Sequence, residues 1–117
     1  MISTKTHGVL DYLVGILLIA APFILGFAGN NTATMVPVIL GAMTIVYSLI
    51  TRYELSLINI IPFKVHLGID FLSGLLLAAS PWLFGFHEEV YLPHLVVGII
   101  EIIVVALSKK PTDLNRR

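Results

Sequence analysis

With 57% hydrophobic and 12% charged residues in a 117-residue chain of zero formal net charge, the composition lies outside the range of soluble globular domains, which run at about 45–50% apolar and about 25% charged. The absence of cysteine excludes a disulfide framework, a thiolate metal site and a cysteine nucleophile. Only seven Lys and Arg are present, no more than membrane orientation alone demands, so no nucleic-acid partner is expected.

Four apolar windows, 9–28, 33–51, 67–86 and 90–108, are long enough to cross a hydrocarbon core of about 30 Å, which takes about 20 helical residues. Thr4 or Thr6 is placed to cap the first helix, and Pro22 should kink it or end its regular part before the turn at Gly26-Phe27. Lys5 ahead of an apolar stretch has the look of a secretory leader, but Asp11 interrupts it and the same pattern recurs mid-chain, where no leader can be. The second helix is expected to open near Met35 to Pro37, since proline suits a first helical turn. Residues 52–64 follow as a greasy connector, with Leu55, Leu57, Ile58, Ile60, Ile61 and Phe63, lying in the membrane interface. Pro93 opens the last helix, and 109–117 is a polar tail.

Inside the windows only Asp11, Asp70 and Glu101 carry formal charge. Every Lys and Arg lies before the first window, between the second and third, or after the fourth. Both termini and the connector are therefore expected on the cytoplasmic side of the cell (inner) membrane. Trp82, Phe84, Phe86 and Tyr91 fit an aromatic belt at the outer interface.

The chain also repeats itself. Residues 7–27 realign onto 66–86 at a constant offset of 59 with ten identities, among them His7/His66, Asp11/Asp70, Gly15/Gly74, Pro22/Pro81 and Gly26/Gly85. Each copy pairs an Asp-bearing apolar stretch with a second apolar stretch, giving repeat one at 7–51 and repeat two at 66–108 within a single membrane domain, 1–117. The expected fold is an all-α membrane protein of four transmembrane helices. Its two helical hairpins enter the bilayer in the same direction and are related by a pseudo-two-fold axis along the membrane normal.

The motif Asp70-x3-Gly74-x5-Ser80-Pro81-Trp82-x2-Gly85-Phe86 resembles the SPW repeat of small bacterial integral membrane proteins. The resemblance implies tandem repeats of two transmembrane helices, with the motif in the first helix of each. The first copy departs from it, reading Ala21-Pro22-Phe23, so the Ser hydroxyl and the indole are not both needed twice. Ser80, next to Pro81, is placed to return its hydroxyl to a carbonyl of the preceding turn.

His7, Asp11, Gly15 and Pro22 fall within an arc of about 80° at about 100° per residue, and His66, Asp70, Gly74 and Pro81 repeat that face. Carboxylates at membrane depth avoid lipid, and glycine permits close backbone approach, so this stripe should face the bundle interior. Gly41 and Gly98 are the matching packing positions on the second and fourth helices. At about 1.5 Å per residue Asp11 and Asp70 lie about 9 Å, and Glu101 about 12 Å, from the nearest Lys, so His7, Asp11, His66, Asp70 and Glu101 can form one cytoplasmic-half cluster. His94 belongs near the outer face. Glu101 is flanked by isoleucines, and a charge there needs a partner or a proton.

A structural role, a scaffold or accessory subunit that packs against itself or another membrane protein in the lipid bilayer, is the reading these features favour. The alternative is a proton- or cation-handling protein that uses the His/Asp/Glu cluster. A metal site of two His and two Asp requires both pairs to converge across the axis, and no local ligand spacing demands it, so no metal and no other cofactor is assigned. No nucleophile elbow or phosphate loop appears, and no catalytic activity is expected.

Overall fold

Four α-helices dominate the residues described, 2–51 and 53–108, in a computed structural model: α1 Thr4–Ile24, α2 Asn31–Leu49, α3 Phe63–Leu83 and α4 Leu92–Leu107. The expected tail, 109–117, and Arg52 at the head of the connector lie outside the described residues. Three of the helices, α1, α2 and α3, are long and apolar enough to cross a membrane. The fourth has 16 residues, about 24 Å at 1.5 Å per residue. It falls short of the 90–108 window because Ser108 leaves the helix in an extended conformation to pair with Ile2.

The helix starts are set by side-chain caps. Ser3, not Thr4 or Thr6, caps α1 by accepting the Thr6 backbone N–H at 3.1 Å. Asn30 caps α2 by accepting the Ala33 N–H at 3.0 Å, so α2 opens at Asn31 and not around Met35 to Pro37. A cap that satisfies an orphan amide outweighs proline's preference for a first turn, and Pro37 is left inside the helix.

Two interior prolines, Pro81 and Pro37, free carbonyls that find other donors. Pro81 cannot donate to Leu77 four residues back, and the Ser80 hydroxyl donates to that same carbonyl at 2.7 Å. Pro37 cannot donate to Ala33, and His94 Nε2 on α4 takes the place of the missing amide at 2.8 Å. The Ser-Pro pair is thus a self-repairing helix element, and Pro81 neither breaks α3 nor ends it early. Both first helices close through left-handed glycines, Gly26 with φ 84° and Gly85 with φ 80°, a conformation that side-chain-bearing residues rarely adopt.

The helices pack mainly as α1 on α2 and α3 on α4. Each pair crosses at two facing glycines: a Cβ on Gly41 would lie 2.7 Å from the Gly15 carbonyl oxygen, and a Cβ on Gly98 would lie 2.6 Å from that of Gly74. Leu18, Leu40 and Leu77 fill the centre between the pairs. Leu13, Ile16, Phe23, Val46, Leu72 and Ile103 point outward. Of the expected aromatic belt, Trp82, Phe84 and Tyr91 are exposed, whereas Phe86 is buried with its ring 4.8 Å from His94.

Between the pairs the chain folds back on the end of α2, with Leu57 N–H donating to Leu49 O at 2.8 Å and Ile61 N–H to Ile50 O at 2.8 Å. Ile2 N–H donates to Leu107 O at 2.8 Å in a matching contact at the other pair. Tyr53 turns inward onto Phe63 and Leu67, while Leu57, Ile58 and Ile60 stay exposed. Phe63 and Lys64, expected in the connector, belong to α3.

Two substitutions test this packing by thermal unfolding in detergent or nanodiscs. Gly98→Ala drives a methyl into the Gly74 carbonyl and should cost about 1–3 kcal/mol, whereas Gly68→Ala, with open space around it, should be neutral or stabilise by up to about 1 kcal/mol. Ser80→Ala leaves the Leu77 carbonyl without a donor and should cost about 1–3 kcal/mol, with Ser80→Thr restoring most of it.

Candidate functional site

The N-terminal turns of α1 and α3 meet the C-terminal ends of α2 and α4 at one end of the molecule, and the polar stripe converges there. His7 and Asp11 stand one turn apart on α1, His66 and Asp70 one turn apart on α3, and all four are buried, with relative exposures of 0%, 4%, 0% and 1%. Their inward-facing atoms form a closed four-membered ring. His7 Nε2 lies 2.6 Å from Asp70 Oδ2 and His66 Nε2 lies 2.6 Å from Asp11 Oδ2, while the pairs within each helix are 3.3 Å apart. The tight contacts therefore run between the repeats. Each histidine serves the other repeat's aspartate more closely than its own.

The far nitrogens are equally determined. His7 Nδ1 lies 2.6 Å from Ser108 Oγ and His66 Nδ1 lies 2.7 Å from Thr51 Oγ1. Both hydroxyls spend their hydrogens on the preceding helical turn, Ser108 on Val104 O at 2.5 Å and Thr51 on Tyr47 O at 2.5 Å. Each hydroxyl oxygen can then only accept, so each Nδ1 carries a hydrogen and donates it. That assignment leaves Nε2 of both rings turned toward the carboxylates. Tyr47 completes the surroundings by donating its hydroxyl to Asp70 Oδ1.

Aromatic rings close the site from the connector side. Phe63 stacks on His66 with centroids 5.4 Å apart and 9° between planes, and meets His7 edge-on at 5.3 Å. Tyr47 packs edge-on against His66 at 4.9 Å. The low local dielectric of such a pocket strengthens every hydrogen bond in it and raises the cost of any left unmade.

The other sequence-picked residues are placed as follows. Glu101 is buried on α4 opposite Gly74, one turn beyond Asp70 on the facing helix, and its Oε2 has no hydrogen-bond partner among the described residues. It is not one of the four converging groups. Gly15, Gly41, Gly74 and Gly98 are the helix crossing points, and Ser80 and Pro81 maintain α3. Pro22 is buried in α1, and Trp82 lies at the opposite end, stacked on His87 at 6.1 Å. His94 is at that same end, bonded to Ala33 O. An apolar cavity of 290 Å³ beside His94, lined by Leu18, Pro37, Leu77 and Val97 among others, is separate from the ring.

Sequence reasoning missed Thr51, Ser108 and Tyr47. A signal for two of them was present: both second-helix windows end on a hydroxyl residue at matching positions, Thr51 and Ser108. Tyr47 has Val104 at the matching place, so no repeat logic could have found it.

The tautomer assignment is open to direct test. Nitrogen-15 NMR of histidine-labelled protein should show His7 and His66 protonated at Nδ1. Thr51→Val and Ser108→Ala should each cost about 1–3 kcal/mol by stranding that N–H. Spectra with either Nδ1 unprotonated would contradict the assignment.

The family model described as the SPW repeat domain matches residues 5–108. Comparison with curated proteins gave no match, and comparison with solved structures gave none.

Proposed function

The chain belongs to the SPW repeat family, and we propose that this member is an integral membrane protein that handles a cation, a proton or a metal ion, at the ring formed by His7, Asp11, His66 and Asp70. The observation that carries the reading is the closure of that ring: two imidazole nitrogens and two carboxylate oxygens converge in a buried site with every ligating atom within 4.8 Å of the others. The ring also joins the two hairpins, but a device meant only to lock them does not require this chemistry. Ionisable groups at membrane depth are expensive, about 2.5–3.5 kcal/mol each on insertion scales, and well-packed apolar residues usually stabilise as well or better than a buried ion pair.

In this proposal all four helices cross the bilayer, α4 by tilting less or drawing on its flanking residues. The two hairpins are related by a pseudo-two-fold axis along the membrane normal. The matched contacts Ile2 to Leu107 and Ile61 to Ile50 support that symmetry, as do the crossed His–Asp pairs and the two glycine crossings. Lys5 and Lys64 at the ring's end of the molecule support a cytoplasmic location for that end. Glu101, buried with an oxygen unpartnered among the described residues, is the group best suited to pass a proton or ion between the ring and the bundle interior.

A second reading retains an accessory or scaffold role, in which the exposed Leu57, Ile58 and Ile60 on the connector dock against a second copy or another membrane protein. The two separate in proteoliposomes. With a pH-sensitive or a metal-sensitive dye trapped inside and the matching proton or divalent-metal gradient imposed, wild-type protein should dissipate at least one gradient. The Asp11→Asn, Asp70→Asn double variant should behave like protein-free vesicles. Wild-type vesicles as tight as empty ones to both ions would remove the cation-handling reading and leave the scaffold.

A further inference from the structure

We propose that the ring is a binding site for one divalent transition-metal ion of the zinc type, held by His7 Nε2, His66 Nε2, Asp11 Oδ2 and Asp70 Oδ2. The inference rests on the cation-handling reading and names the ion class. Three independent features point to it.

The first is spacing. A tetrahedral ion with metal–ligand bonds of about 2.0–2.1 Å holds neighbouring ligand atoms about 3.3 Å apart. Two of the four ring edges, His7 to Asp11 and His66 to Asp70, already have that length. The two diagonals, within 4.8 Å, close toward that value, and the other two edges are 2.6 Å. Those two edges open by about 0.7 Å if each Nε2 points its lone pair at a shared ion instead of sharing a hydrogen with a carboxylate, a movement that small side-chain rotations supply.

The second is charge and donor type. With Nδ1 carrying a hydrogen on both rings, release of the two hydrogens shared along the 2.6 Å contacts leaves two neutral imidazole lone pairs and two carboxylates, a set whose double negative charge one divalent ion cancels. A monovalent ion would leave a buried charge uncompensated. Paired imidazoles suit zinc and its neighbours in the first transition row, while magnesium and calcium prefer all-oxygen sites.

The third is the outer layer. Metal-ligating histidines are held by a partner on the other ring nitrogen, and ligating carboxylates by a hydrogen-bond donor. Ser108, Thr51 and Tyr47 occupy those positions, and Ser108 and Thr51 do so from matching places in the two repeats.

Cobalt titration of the full chain tests this, in detergent or nanodiscs after chelator treatment. One Co²⁺ per chain should bind with the intense visible absorption of tetrahedral cobalt, be displaced by Zn²⁺ and persist in excess Mg²⁺. Asp11→Asn with Asp70→Asn should abolish the spectrum, and Thr51→Val, which keeps all four ligands, should weaken binding about 10–100-fold. Absence of stoichiometric cobalt binding by the wild-type chain would overturn the inference whether or not the variants fold, as would a spectrum unchanged in the double variant. Proton flux in vesicles that persists without metal binding would leave the cation-handling reading standing while this one falls.

Discussion

Two carboxylates set side by side in an apolar interior constrain everything around them. Neither Asp11 nor Asp70 can keep a charge at that depth without hydrogen-bond donors close by, and the nearest donor to each belongs to the other half of the chain. A hairpin formed alone would bury a histidine and an aspartate whose best partners are absent. The ring is therefore what makes the two halves one structure: the glycine crossings hold each helix pair together, and the crossed His–Asp contacts hold the pairs to one another. Removing one member of such a set is severe, about 3–5 kcal/mol for a broken buried pair, because the remaining charge is left uncompensated.

The same constraint orders the helix ends. α1 and α3 must begin where α2 and α4 finish, so that hydroxyls at the C-terminal ends can reach the imidazoles near the N-terminal ends. The extended pairings of Ile2 with Ser108 and Thr51 with Ile61 fix those ends. They also explain why α4 stops at Leu107: another helical turn would carry Ser108 away from His7. The opposite end of the molecule has no such requirement. It is held by tight turns at Gly26 and Gly85 and by the Asn30 amide donating to Glu89.

Much of this architecture was legible in the sequence, because a repeat with a fixed offset and a period of 3.6 residues says which groups share a face. The stripe of His7, Asp11 and Gly15 and its copy follow from that alone. Which stripe faces which does not, because helical periodicity is silent about neighbours across a gap, and so the crossing of the pairs emerged only in three dimensions. Helix ends were misjudged at Met35 to Pro37 because a proline was weighed as a start signal when the stronger signal, Asn30, stood just upstream. The return of the Ser80 hydroxyl to the preceding turn follows from its place beside Pro81 and is what the structure shows, whereas the donor that serves the carbonyl freed by Pro37, the His94 imidazole, is 57 residues from that proline and has no local signal. Tyr47 was invisible because it has no counterpart in the second repeat.

Asymmetry between the copies is where function should differ from architecture. The ring is built from matching residues, and its hydroxyl supports match as well, so a two-fold device would be complete without Tyr47 or Glu101. Tyr47 holds only Asp70, making one carboxylate firmer than the other. Glu101 replaces the Thr44 of the first repeat, whose hydroxyl donates to Leu40 O of its own helix at 2.8 Å and lies 3.5 Å from the Tyr47 hydroxyl. In the proposed cation-handling role, a symmetric site would hold its ion equally from both sides and give it no preferred exit. A buried carboxylate on one side only, without a hydrogen-bond partner for Oε2 among the described residues and packed against Gly74 one turn along α3 from the anchored aspartate, would supply a direction in that role. The ring itself must stay close to neutral at this depth, and two protons or one divalent ion satisfy that condition equally. Exchange between them leaves the surrounding apolar helices with the same net charge to accommodate in either state.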